Sequence, residues 1–293
     1  MSESDPSAAQ AASERRPAHA VERWRRILER IAAEQTIHVP ELARELAVSE
    51  MTIRRDIRRL ERDGFVRQTY GGAAAHLTRS FDIAFNARAL EHTREKRLIG
   101  MRATELIGGE RLLFVGIGTT AEQFARYLPA RDDLTVVTAS LPIASLLGTR
   151  PVRVVALGGA VLRDELSCVG SVALRTLATY RFDLAVVGAA GLSGRWGLTE
   201  LTDEEAEVQR AALERSERVI VIADASKIGV ATSAVVAPAD RIHTLVTDAS
   251  APPAELAELR RLGVEVIVTA PRQRVSEAIR DGPPRMVAAA SEV

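Results

Sequence analysis

The chain holds 293 residues, with 39 basic and 39 acidic side chains, no net charge and 46% hydrophobic residues. That length suits about two domains and easily buries a core. One cysteine, Cys168, excludes an intramolecular disulfide, and no apolar run approaches the roughly 18 residues a membrane span needs, so a cytoplasmic location is expected.

Residues 1–19 are rich in Ala, Ser, Glu, Asp, Pro and Arg without an apolar core, which predicts a disordered lead rather than a signal peptide. Trp24, Ile27, Leu28 and Ile31 then repeat at helical spacing. Leu42, Ala43 and Leu46 give a shorter helix, with Val39 as a poor N-cap and Pro40 at its first position. Only a tight turn fits between Leu46 and Ser49. Ser49 is a good N-cap for the next helix, and Glu50 puts a negative charge in its first turn. Ile53, Ile57 and Leu60 form one apolar stripe. Met51, Arg54, Arg55, Arg58 and Arg62 fall opposite it, flanked by Thr52 and Arg59. Gly64 is the expected stop. Phe65 to Tyr70 alternates as a strand would and runs into Gly71-Gly72.

Two short helices joined by a tight turn form a helix-turn-helix, whose second helix enters the major groove of DNA. The following hairpin reads as a wing over the phosphate backbone. From Met51 to Ser80 seven arginines face Asp56, Glu61 and Asp63, a local charge of +4, which suits phosphate contact. The plainer alternative is a solvated arginine face on a surface helix. The coincidence of three helices, turn and wing favours DNA. Candidate contacts are Ser49, Met51, Thr52, Arg54, Arg55, Arg58, Arg67, Thr69, Tyr70, Gly71 and Gly72.

The stretch ELARELAVSEMTIRRDIRRLERDGFVRQTYGGA closely resembles the winged helix-turn-helix of DeoR-family bacterial transcriptional regulators, whose hallmark is a V-S-x-x-T-I-R-R-D-L run ending in a Gly-Gly wing.

Residues Ala73 to His92 lack a sustained period and read as a connection. Beyond them helical patterns alternate with seven β-branched runs: Leu112–Val115, Leu134–Thr138, Val152–Leu157, Asp183–Val187, Arg218–Ala223, Ile242–Thr247 and Val264–Thr269. This predicts an α/β domain with a mainly parallel sheet buried on both faces. The expected divisions are a lead over 1–19, a winged helix-turn-helix over 20–75, a linker over 76–92, an effector-binding α/β domain over 93–270 and a flexible tail over 271–293.

Ligands in such sheets bind beyond the carboxyl ends of the strands. Gly116-Ile117-Gly118-Thr119-Thr120 occupies one such end, where the amides of Gly118, Thr119 and Thr120 can face an anion. A tight turn needing glycine for geometry alone is the alternative. Gly116-x-Gly118-x-x-Ala121 also fits a dinucleotide fingerprint. However, the next strand ends in Thr138-Ala139-Ser140, without the acid a ribose needs, so no cofactor is expected. Gly158-Gly159, Gly188-Ala189-Ala190-Gly191 and Asp224-Ala225-Ser226-Lys227 mark further strand ends. Only two of the 39 basic residues are lysines, Lys96 and Lys227. Lys227 suits an anion partner.

These pieces recur in order in the effector domain of the DeoR family. The resemblance implies a sugar-phosphate sensor with a fold similar to ribose-5-phosphate isomerase and glucosamine-6-phosphate deaminase. It implies effector contacts at Gly118, Thr119, Thr120, Ser140, Gly158, Gly159, Gly188, Ala189 and Lys227. The chain departs from the family at Gly116, where an Asp is usual, and at Ala139, where Asn is common.

An isomerase would need a carboxylate to move a proton between C1 and C2. The G-A-D-E-like strand end of such enzymes matches Gly188-Ala189-Ala190-Gly191-Leu192, which has no acid. Glu200, Asp203, Glu204 and Glu205 read as a helix first turn, His243 as structural, and no metal-ligand spacing is present. The expected protein is therefore a regulator, a repressor of operator DNA controlled by a phosphorylated sugar or similar metabolite, and not an enzyme. The alternatives are an active isomerase or deaminase fused to a DNA-binding module, and an interaction protein with no small ligand. One helix-turn-helix reads few base pairs, so a homodimer or tetramer is expected.

Overall fold

The computed structural model describes residues 20, 22–31, 34, 36–62, 65–75 and 83–269; the expected lead, the Gly64 stop and the expected tail lie outside them. In the first domain, helix α1 (22–31) precedes strand β1 (Thr36–His38), α2 (Val39–Glu45) and α3 (Glu50–Arg62). Strands β2 (Val66–Thr69) and β3 (Gly72–Ala75) form the wing, and β1 adds to it antiparallel in the order β1-β3-β2.

Strand β1 was not legible as a strand, and it moves a helix boundary. The N-cap of α2 is His38, one residue before the expected Val39, and Pro40 takes the second helical position. The cap lacks a side-chain bond. The strand holds that end instead: Ile37 pairs with Ala73, and Val39 donates its amide to the Gly71 carbonyl at 2.9 Å. The close approach explains Gly72, because a Cβ there would lie 1.8 Å from the Ile37 oxygen.

The apolar stripe of α3 is buried as expected, with Ile53, Ile57 and Leu60 no more than 1% exposed. They pack with Ile27, Leu28 and Ile31 of α1 and with Leu42 of α2. The same core contains Ala89 and Leu90 of α4 (Ile83–Leu90). The stretch read as a connection therefore carries a strand and a helix that complete the first domain. Phe85 and Ala89, at helical spacing, were the available signal.

In the second domain seven strands form one wholly parallel sheet. They are β4 (Leu112–Val115), β5 (Thr135–Thr138), β6 (Arg153–Ala156), β9 (Phe182–Val187), β12 (Ser216–Ile222), β14 (Thr244–Asp248) and β15 (Glu265–Thr269), in the order β15-β14-β12-β9-β4-β5-β6. Helices α5 (Thr93–Thr104), α6 (Thr119–Tyr127) and α7 (Leu141–Leu147) cover one face, through Ile99, Phe124 and Ile143. Helices α8 (Ser171–Leu177), α9 (Asp203–Glu214) and α10 (Pro253–Arg261) cover the other, through Ala173, Ala206 and Leu259. Burial of both faces accounts for the Val- and Ile-rich strands.

Two small antiparallel additions had no clear sequence signal, because their strands are three or four residues long. One is the hairpin β7 (Ala160–Leu162) and β8 (Ser167–Val169). The other joins β10 (Gly191–Ser193), β11 (Gly197–Glu200) and β13 (Ala234–Ala237).

Candidate functional sites

Helix α3 begins as expected. The Thr52 amide donates to Ser49 Oγ at 3.2 Å. The face opposite the core is open to solvent: Arg54, Arg55 and Arg58 are exposed, Met51 is 61% exposed and Thr52 is partly covered. Arg54 pairs with Glu50 at 2.8 Å, but both side chains are about half exposed, so the pair can open at little cost. At the wing, Arg67 and Gly71 are exposed, Thr69 is partly so, and Tyr70 projects fully from the tip. Gly72 is the exception among these candidates. It is buried in β3 against Ile37, where its lack of a side chain lets β1 approach.

Asp56 lies on α3 yet is only 4% exposed. It accepts Arg23 Nε at 2.5 Å and Trp24 Nε1 at 2.7 Å. Arg59 stands 5.9 Å from the centre of the same indole ring. The acid thus anchors α1 to the back of α3, which leaves the outer face cationic.

In the second domain β12, β9 and β4 are neighbours in the sheet. Their carboxyl ends deliver Asp224, Gly188 and Ile117-Gly118 to one cleft, also lined by Thr119, Thr120, Ala189 and Lys227. Gly118 is the N-cap of α6 at φ +96°, a conformation that favours glycine, and it offers no capping side chain. The first-turn amides of α6 are left by helix geometry without intrahelical acceptors. That end carries a partial positive charge.

Three candidates do not line this cleft. Ser140 is 1% exposed and caps α7, accepting the Ile143 amide at 3.3 Å. Gly158 and Gly159 follow β6, both at positive φ, +73° and +110°, and a Cβ on Gly159 would lie 2.4 Å from the Val169 oxygen. Ser140 and Gly159 thus have a capping and a packing role within the fold. The departures from the family pattern have the same cast. Gly116 lies against Val187, where a Cβ would meet three of its atoms at 3.1–3.2 Å, and Ala139 is 2% exposed within an apolar cluster.

Sequence reasoning missed several charged residues of the cleft. Arg88, Glu91 and His92 enter from the end of α4, Lys96 from α5, and Glu165 and Glu200 from the opposite wall. Lys96 is 4% exposed, and its Nζ donates to the Arg88 carbonyl at 2.6 Å, with Asp224 Oδ2 3.9 Å away. Burial pulls its pKa down to about 8, against the opposing pull of Asp224. Arg88 pairs with Glu165 at 2.8 Å. Its rarity among 39 basic residues was the one signal for Lys96.

Glu200 requires a correction. It does not belong to a helix first turn: it ends β11, paired with Ala234, and α9 starts only after the Thr202 cap. It is 5% exposed and accepts Gln209 Nε2 at 2.5 Å. Burial, then the nearby Glu205 and Glu165, push its pKa up to about 8. Asp203, Glu204 and Glu205 do form the first turn of α9. His243 is structural as expected, its Nδ1 accepting the Val219 amide at 3.1 Å.

A winged helix-turn-helix joined to an α/β domain with a charged cleft at its strand ends defines a DNA-binding regulator with a small-molecule sensor. Residues 23–78 match the DeoR-like helix-turn-helix domain, and residues 91–249 match the DeoR C terminal sensor domain. The chain belongs to the DeoR family of transcriptional regulators. It is 30% identical over 228 residues to the HTH-type transcriptional regulator GolR of Listeria innocua, covering 78% of this chain and 90% of that one. It is 29% identical over 239 residues to the HTH-type transcriptional repressor CsqR of Escherichia coli K12, covering 81% and 91%. Among solved structures, ribose 5-phosphate isomerase A from Methanocaldococcus jannaschii aligns at 20% identity over 45% of this chain and 52% of that one, with a TM-score of 0.34. The curated relatives are named as regulators and repressors.

Proposed function

We propose that this protein is a transcriptional repressor whose operator affinity is set by a phosphorylated sugar or similar anionic metabolite in the cleft. The carrying observation is convergence. Lys96 and Lys227, the only lysines of the chain, line one cleft together with the amino end of α6. A phosphate would take charge-assisted bonds from the ammonium groups and the helix amides. The carboxylates of Glu165 and Asp224 and the protonated carboxyl of Glu200 line the same cleft, and all three can hydrogen-bond sugar hydroxyls.

Helix α4 supports the coupling. Its Ala89 and Leu90 belong to the core of the DNA-binding domain, while Arg88 lines the cleft. A ligand that prefers one position of Arg88 therefore biases the element on which the helix-turn-helix rests. On DNA a homodimer or tetramer fits this reading, because paired recognition helices span half-sites. A cytoplasmic location accords with an operator partner.

The test is operator binding with and without a panel of phosphorylated sugars, paired with thermal shift. At least one phosphorylated sugar should raise the melting temperature and alter operator affinity, and its dephosphorylated form should do neither. Equal responses to both forms would defeat the phosphate assignment. No operator protection at low salt would defeat the regulator.

A further inference from the structure

A second groove opens between the carboxyl end of α3 and helices α5 and α6. Its volume is about 550 Å³, against about 110 Å³ for the sensor cleft. Five arginines line it: Arg59 and Arg62 from α3, Arg94 and Arg97 from α5, and Arg126 from α6. Arg126 is answered by Glu122 at 2.8 Å, and Arg59 lies over Trp24. Among the described residues Arg62, Arg94 and Arg97 form no ion pair and are exposed. Like charges gathered in a concavity raise its potential and draw in an anion.

The groove is continuous with the DNA-reading face. Arg55, Arg58 and Arg62 stand at i, i+3 and i+7, so one row of guanidinium groups runs down α3 into it. The carboxyl end of a recognition helix commonly lies against the phosphate backbone. The opposite wall, however, belongs to the sensor domain. We infer that this groove takes the phosphate backbone flanking the bases read by α3, so that Arg94 and Arg97 of the sensor domain contact the operator directly. A phosphate strand suits the roomier groove, and its charge complements Arg62, Arg94 and Arg97.

The inference rests on α3 being the helix seated in DNA. It makes the sensor domain part of the DNA-binding surface and not only its controller. Bound backbone would bridge the two domains across the groove, so their relative position would count directly in operator affinity.

The experiment compares the full chain with the Arg94→Ala/Arg97→Ala variant on operator duplexes at several salt concentrations. Each lost phosphate contact reduces the slope of log affinity against log salt by about 0.9, so a drop of about 2 is expected. The loss should be alike on specific and unrelated DNA. Trimming the duplex on the flank should weaken the native chain and leave the variant unaffected. An unchanged slope, with trimming felt equally by both, overturns the inference. Arg55→Ala separates the two readings: should α3 not be the seated helix, that variant would bind as the native chain does. One further outcome also overturns it. If inorganic phosphate stabilises the native chain and Lys227→Ala, but not the arginine variant, and the salt slope is unchanged, the groove holds a free anion instead of DNA.

Discussion

Lys96 Nζ donates to the carbonyl oxygen of Arg88 at 2.6 Å, and this bond joins the first buried helix of the sensor domain to the last turn of α4. Arg88 in turn reaches the β7–β8 connection, pairing with Glu165 and donating to the Asp164 carbonyl. Residues that follow it directly, Ala89 and Leu90, sit in the core beneath α3. An anion that draws the Lys96 ammonium away from Arg88 would thus release a constraint on the DNA-binding domain.

Lys96→Met should uncouple the domains. It keeps the buried stem and removes the bond. With the constraint already released, operator affinity without effector should match that of the effector-bound native chain, and the effector-induced change, typically ~1–3 kcal/mol in coupled systems, should shrink towards zero. Titrating operator binding against effector in both proteins measures this. A variant that responds fully would show that α4 carries no signal through Lys96.

Lys227→Ala should weaken effector binding without altering operator binding. A charge-assisted hydrogen bond contributes ~1.5–3 kcal/mol, so the dissociation constant should rise roughly 10- to 100-fold. Calorimetry with the effector found in the thermal-shift screen reads it. If the variant fails to fold, the lysine is structural and the anion assignment loses its anchor.

On the DNA side, Arg55→Ala and Arg58→Ala should each weaken operator binding. A lost base contact would cost ~1–3 kcal/mol and relax specificity at one position, whereas a lost phosphate contact would weaken all sequences equally. Competition between operator and scrambled duplexes separates the two. Neither substitution should lower the melting temperature, because both side chains are exposed.

Much of this was legible because its signals are local. The capped start of α3, its stripe of Ile53, Ile57 and Leu60, and the β-branched runs of the parallel sheet declare themselves within a few residues. What failed was contact between distant segments. Strand β1 exists because Ile37 finds Ala73, and Gly72 is small enough for β1 to approach. Glu200 reads as a helix start until β13 pairs with it. Lys96, in the first turn of α5, becomes a cleft residue only when that helix packs beside the strand end holding Asp224. Ser140 and Gly159 fit a motif order, but neighbouring backbone takes up the one's hydroxyl and crowds the other.

Asp56→Ala should damage the first domain selectively. The carboxylate is buried and serves Arg23 and Trp24 together. Its removal strands an indole N–H and a partly buried guanidinium, at a cost of about 3 kcal/mol. Arg23 is 19% exposed, which keeps the cost below that of a wholly buried charge. Hydrogen exchange should show opening of α1 and α3, with the parallel sheet still protected.

The cleft also predicts how stability varies with pH. Glu200 ionises at 4.5 when unfolded but at about 8 in the folded chain, because burial and the carboxylates of Glu205 and Glu165 oppose its charge. Between those values the folded state keeps a proton that the unfolded state has released. Stability therefore falls as pH rises through that window, and is flat above it. Lys96 acts in the opposite sense at higher pH. It loses its proton at 10.5 unfolded and at about 8 folded, since desolvation outweighs the help of Asp224 and Glu91, while Lys227 and Arg88 add repulsion. Across that second window the unfolded state holds the extra proton, so stability rises with pH. The pair should leave a dip in stability near pH 8, on the order of a few kcal/mol deep, read as a minimum in melting temperature. Glu200→Gln should flatten the falling limb below pH 8 and raise the melting temperature there, because an amide can still accept the Gln209 bond. Lys96→Met should flatten the rising limb alone. An anionic effector beside Lys96 would favour the ammonium, so its affinity should decline as pH passes 8. A melting profile unchanged by Glu200→Gln across pH 5–9 would mean that this carboxyl is ionised and solvated in the folded protein, and would remove it from the cleft's chemistry.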